Sequence, residues 1–333
     1  MVDVVEFFQH HVLPELQATE SSHPIIIADS IKFATAFRNQ LPKEAYSIII
    51  GTLAPFLAQS ACPPVTVSYI AHCIERLLTV RDKQADGTAV SRLTREEMAP
   101  ALEGLLGGLF SALDRDDMTE NEYVMKAIMR LVTFGRETLM PHVQLCMEKL
   151  VAKLAAAAAN PVNPTFNHFL FETIASMVRH VTAVHPEAIE AFEESLFPLI
   201  QHMLDQDIVE FGPYAIQLLS QLLGIRAGSG TVPEQYLAIL PPLFLPVFWE
   251  RPGYIPALTH LVQNYLRCAG PMIVSNGQLQ PILGIFQKLI SSKANDMHGF
   301  SLFTSMIQAL PLEAISEFLP TIFQLLCTRL STL

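Results

Sequence analysis

Charge is scarce in this chain. Of 333 residues, half are hydrophobic and only 16% are Asp, Glu, Lys or Arg, and the mean hydropathy is +0.34. Such a composition suits helices covered on both sides, or a membrane protein. A spanning helix needs roughly 20 unbroken apolar residues, and no stretch approaches that. The best run, YLAILPPLFLPVFW at 236–249, is too short and holds three prolines. The start, MVDVVEFFQHH, is acidic and lacks a basic segment followed by an apolar core, so no signal or transit peptide is read. No N-x-[ST] sequon occurs. The cysteines are five, an odd number, at 62, 73, 146, 268 and 327, with no C-x-x-C. They read as reduced, mostly buried thiols of an intracellular protein. The net charge of −11 and the lack of a basic cluster argue against nucleic acid and favour basic protein partners.

Catalytic arrangements are missing too. H-E-x-x-H, a P-loop and G-x-G-x-x-G do not occur. AGSGT lacks the strand–elbow–helix setting of a nucleophilic serine. His10-His11 and His72-Cys73 are adjacent pairs that point to different helix faces, so no metal site is read. Carboxylates crowd at 113–122 and 185–195, where helix N-terminal turns would draw them electrostatically. The lone Trp249 reads as a packing anchor. No catalytic residue, cofactor or metal ligand follows, and the chain is read as not an enzyme.

Strand signals are almost lacking, apart from Asp86-Gly87 in a polar loop. What the chain does have is apolar residues at helical spacing between points rich in Pro, Gly and Asp. Long first helices, such as IIIGTLAPFLA and FEESLFPLIQHML, alternate with second helices beginning near Pro24, Val65, Thr119, Thr165, Asp207, Gly253 and Asn295. Pro14, Pro55, Pro198 and Pro246 fall within first helices and predict bends there. The period of about 40–50 residues fits HEAT-like pairs. The expected fold is all-α, an α-α superhelix of about seven helix pairs plus one unpaired helix. Approximate repeats are 1–40, 41–81, 94–138, 139–184, 185–225, 231–269 and 271–310, with a partial one at 311–333. Both ends are apolar and uncapped, which predicts a segment of a longer array. Two polar stretches, RDKQADGTAVSRLT (81–94) and IRAGSGTVP (225–233), read as surface insertions. The run Ala155–Ala159 reads as a helix end.

One stripe interrupts this apolar pattern. In TENEYVMKAIMRLVTFGRET (119–138), Glu122, Lys126, Arg130, Thr133 and Glu137 recur at steps of three and four, one line down a helix. Other second helices carry similar lines: Asp29, Lys32, Thr35, Asn39; Ser68, His72, Glu75, Thr79; His168, Glu172, Ser176, Arg179; Glu210, Tyr214, Gln217, Gln221; His260, Gln263, Arg267; and Ser301, Ser305, Gln308. An inner solenoid helix keeps one narrow face for solvent, and aligned faces form the usual binding surface; they are equally the solvated edge of such an array. Thr119 with Glu122 reads as a capping box, a local role for Glu122. Lys126 and Arg130 then most need a partner.

The blocks FFQHHVLPEL…FRNQLPKE, NEYVMKAIMR, NHFLFETI, VEFGPYAIQLLSQLL, FWERPGYIPAL and FQKLISSKANDMHGF, in this order, resemble the CAS family of exportins in the importin-β superfamily. The resemblance runs from about residue 3 to 330. It implies a HEAT superhelix that binds importin-α together with Ran-GTP in the nucleus, passes the pore in contact with nuclear pore proteins, and releases both in the cytoplasm. Shuttling between nucleus and cytoplasm, with presence at the nuclear envelope, follows from the same resemblance. Family members are much longer, so this chain corresponds to the middle-to-late part. Matched motifs nominate Asn121, Tyr123, Lys126 and Arg130, with Lys293, Asn295 and Asp296, as partner contacts; Tyr123 could equally be core. The alternative is a generic HEAT scaffold of the phosphatase or adaptor type, with no GTPase partner.

Overall fold

The computed structural model describes residues 3–18, 23–228 and 232–331. The chain divides into two compact units, Met1–His185 and Pro186–Leu333. The first contains α1 (Val4–Phe7), α2 (Leu13–Gln17), α3 (Pro24–Ala36), α4 (Lys43–Leu57), α5 (Pro64–Leu77), α6 (Arg95–Leu113), α7 (Glu122–Gly135), α8 (Val143–Ala159) and α9 (Pro164–Val184), with two short strands, β1 (Arg81–Lys83) and β2 (Ala89–Ser91). In the second are α10 (Ile189–Asp205), α11 (Gly212–Ile225), α12 (Glu234–Leu243), α13 (Pro246–Trp249), α14 (Ile255–Ser275), α15 (Leu279–Ile290), α16 (Asp296–Ala309), α17 (Leu312–Ile315) and α18 (Leu319–Leu330).

In the first unit α3, α5, α7 and α9 pack on one another in succession, while α2, α4 and α6 form a second row. The pairs α4–α5, α6–α7 and α8–α9 join the rows. In the second unit α11, α14 and α16 form the inner row, and α10, α13 and α15 pack on their partners there. The fold is an all-α HEAT-repeat solenoid. α7 shows why an inner helix is so apolar. Val124, Met125, Ala127, Ile128, Leu131 and Val132 are all buried, so three sides face protein and one line remains.

The prolines act in different ways. Pro55 and Pro198 lie inside α4 and α10. Pro14 instead follows a π-helical turn at Phe8–Val12. Pro246 opens the separate short helix α13, so the first helix expected through 236–249 is broken in two. Trp249 closes that segment: it is 3% exposed and donates its indole N–H to the Leu243 carbonyl at 2.8 Å. α11 begins at Gly212, leaving Glu210 before the helix.

The polar stretch 81–94 differs from the expected loop. It holds an antiparallel hairpin pairing Arg81 with Ser91 and Lys83 with Ala89. Gly87 at the turn has φ +85°, which only glycine adopts without strain, and Thr88 bonds back to Asp86. Arg92 then ties the hairpin down. Its guanidinium reaches Asp82, the Leu41 carbonyl at 2.9 Å and the Tyr46 hydroxyl at 3.1 Å. The stretch 225–233 includes 229–231, which lie outside the described residues.

Two local expectations are corrected. Glu122 is the first residue of α7, not a capping-box partner of Thr119; the N-cap is Asn121, whose Oδ1 accepts from the Val124 N–H. A complete capping box does occur, at Thr94 and Glu97 of α6. Asp114 does not sit in an N-terminal turn. It ends α6, where Lys149 and Lys153 of α8 pair with it at 2.7 and 3.0 Å.

Candidate protein-binding surface

The inner row of the first unit aligns its polar lines across adjacent helices, and the lines touch. Asn121, the N-cap of α7, donates from Nδ2 to Ser68 Oγ of α5 at 2.8 Å. Tyr123 stands edge-on to His72 with ring centres 6.0 Å apart. Lys126 lies over the Phe169 ring of α9 at 5.5 Å. Arg130 reaches Glu75 at 3.4 Å. The cations expected to need an outside partner thus each have one within the chain, although the inter-helix spacing that supplies it is invisible in one helix's sequence.

The line is not uniformly solvated. Glu75 and Ser176 are buried, and Asn39 falls beyond the end of α3. Glu137 also lies past α7, in a 3-10 segment, and pairs with Arg95 at 3.6 Å. Tyr123, by contrast, is 46% exposed and is not core. An exposed aromatic beside a half-buried cation is a typical protein-recognition pair.

The electrostatics of this face oppose the chain's overall charge. A cavity of about 410 Å³ is lined by Lys32, Thr35, Arg38, Tyr69, His72 and Arg76. Burial holds the His72 imidazole below the ordinary histidine range; Glu75 acts against this, while Arg76, Lys126 and Arg38 reinforce it. Net acidity suggested basic partners, yet here the cations gather. Arg38, Tyr69 and Arg76 form no run in the sequence: Arg38 lies just past α3, whereas Tyr69 and Arg76 stand seven residues apart on α5.

In the second unit Asp296 pairs with Arg329 at 2.7 Å, both largely buried, and that guanidinium holds its carboxyl below the usual range. Asn295 donates from Nδ2 to Ser292 Oγ at 3.4 Å, while Lys293 is exposed. Gln263 of α14 bonds Ser301 of α16 at 2.7 Å, again joining neighbouring lines. Among the described residues no group of three or more His, Cys, Asp or Glu is placed to hold a metal. No described helix is long and apolar enough to cross a membrane.

Comparison with known proteins accounts for the whole chain. The family described as "CAS/CSE protein, C-terminus" matches residues 75–333, and the family "Cse1" matches 1–74. The chain belongs to the CAS/CSE exportin family. This CAS/CSE chain is 40% identical to Exportin-2 of Oreochromis niloticus over 335 residues, covering 100% of itself and 34% of that protein. Against human Exportin-2 the identity is 40%, over 99% of the chain and 34% of the relative. It therefore spans about a third of the length of the curated relatives it matches. Its fold is similar to the exportin Cse1 in a cargo-free, cytoplasmic state, with a TM-score of 0.84, 29% identity, and coverage of 99% of this chain and 33% of that one. Yeast importin-β superposes with a TM-score of 0.66 at 13% identity, over 97% of this chain and 37% of that one, a likeness of fold alone.

Within the CAS/CSE chain, the motif-nominated residues divide by what they already do. Asn121 caps α7 and braces α5, and Asp296 is closed off by Arg329. Tyr123 and Lys293 are exposed, and Lys126 is half-buried.

Proposed function

We propose that this chain, as part of a longer exportin, supplies inner-face contacts to importin-α and Ran-GTP and so takes part in returning importin-α from nucleus to cytoplasm. The observation that carries the reading is the match to the CAS/CSE family along the full chain. Transport receptors of this kind are not enzymes; Ran's nucleotide is the energy source, and the receptor's work is binding. Shuttling and passage past nuclear pore proteins belong to the same reading. Tyr123 and Lys126 are the leading contacts. Arg130, Lys293 and Asn295 follow, and Asn121 and Asp296 act chiefly by holding their neighbours.

The test uses the full-length protein containing this chain, mixed with importin-α and with Ran loaded with GTP or GDP, and followed by gel filtration. The ternary complex forms only with Ran-GTP, and Tyr123→Ala with Lys126→Glu weakens it roughly tenfold, about 1.4 kcal/mol. Importin-α binding that ignores the nucleotide sinks the export reading. An unchanged complex in the double variant removes this face from it.

A further inference from the structure

A second cavity, of about 340 Å³, opens where α5 and α7 end against the hairpin. Four arginines line it, Arg81, Arg95, Arg130 and Arg136, with Phe134 and Val90 among its apolar walls. This is a concentrated positive site in a chain of net charge −11.

Local neutralisation falls short. Glu137 takes Arg95 at 3.6 Å, and Glu75 takes Arg130 at 3.4 Å. Asp82, in the same hairpin, is engaged by Arg92. The guanidinium groups of Arg81 and Arg136 have no ion pair or hydrogen bond among the described residues. Helix C-termini contribute roughly half a negative charge each, which leaves the site positive. Two further signs mark it as incomplete. Arg130 Nε is buried without an acceptor. Arg136 is held at φ +46°, a region that non-glycine residues rarely occupy.

We propose that this cavity binds the phosphate of a phosphorylated serine or threonine in a protein partner. Guanidinium forks match phosphate oxygens in pairs, and a phosphate of charge near −2 answers the excess that a single carboxylate leaves. The apolar walls suit the stem carrying the phosphate. Nucleic acid fits less well, since its neighbouring phosphates would meet an acidic protein. The proposal stands apart from the export reading, because its assay needs neither importin-α nor Ran.

The experiment measures fluorescence anisotropy of a short labelled peptide carrying one phosphoserine, titrated with the full-length protein. Its unphosphorylated twin and a single-stranded oligonucleotide run in parallel, and inorganic phosphate serves as competitor. The phosphopeptide binds at least about tenfold tighter than its twin, and phosphate displaces it. Arg136→Gln and Arg81→Gln each weaken binding roughly tenfold, while Lys83→Gln, in the hairpin but off the cavity, does not. Arg81 is an exposed strand residue, so its variant keeps the test open should Arg136→Gln disturb its turn. Equal affinity for both peptides overturns the proposal. So does an equal loss in Lys83→Gln, or tighter binding of the oligonucleotide.

Discussion

Arg130 of α7 reaches across to Glu75 of α5 at 3.4 Å, and Glu75 is 2% exposed. Neither end is fully satisfied: Glu75 Oε2 and Arg130 Nε lack hydrogen-bond partners. The pair therefore joins two inner helices through a charge the core tolerates only while it is matched. Arg130→Ala is expected to cost about 2 kcal/mol in urea unfolding. That is below the ~3–5 kcal/mol of a fully buried pair, because Arg130 is 32% exposed. Glu75→Leu with Arg130→Met should recover most of it. Additive costs in the double variant would refute the coupling.

Stability should fall on mild acidification. Burial depresses the His72 and His180 imidazoles below their ordinary value, with Arg76, Lys126 and Arg38 facing the first, and Arg136, Arg179 and Arg95 the second. Glu75 and Glu137 oppose the shift. A depressed folded pKa means the unfolded chain takes up protons first. The contribution is whole above about pH 6.5 and is lost as pH falls from there through the folded values. Urea unfolding between pH 7.5 and about 5 measures it, and His72→Gln with His180→Gln should flatten the slope. An unchanged slope would place the dependence elsewhere.

Arg92 should control the order of the hairpin. Its side chain is 13% exposed and bridges β1 to the α3–α4 connection. Arg92→Ala is expected to raise amide exchange over 81–91 and to cost about 1–3 kcal/mol. Arg92→Lys should rescue little, since an ammonium cannot span the same acceptors in fork geometry. Unchanged exchange would show the hairpin to be self-sufficient.

Gly212→Ala tests a close approach in the second unit. An added Cβ would overlap the Tyr254 hydroxyl and ring, and that hydroxyl donates to the Val209 carbonyl at 3.1 Å. Displacing the ring should cost about 1–3 kcal/mol by overpacking. Tyr254→Ala in the same background should cost much less than it does alone; full additivity would deny the clash.

Apolar spacing made α7 legible because an inner helix buries all but one side, leaving a pattern that local sequence records. Glu122 was misassigned because Thr119, Asn121 and Glu122 all suit a helix start, and the choice fell to packing: Asn121 both caps α7 and braces Ser68. The hairpin leaves no signal in the sequence because its strands are three residues each and mostly exposed, too short for any alternation to register. Lys126 and Arg130 were visible as a stripe, but their partners lie on α9 and α5.

The helical class, the pairing of helices and the membership of a family are legible in the amino-acid order alone, because each depends on periodicity or on ordered motifs within one segment. Which cations are paired follows instead from the folded chain. Glu75, Arg130, Arg95 and Arg136 are tens of residues apart in the chain or on different elements, and electrostatic energy depends on distance in space, which helix stacking sets. Packing of the hairpin and α6 against the end of α7 brought a dispersed set of arginines together into one cavity on an acidic chain.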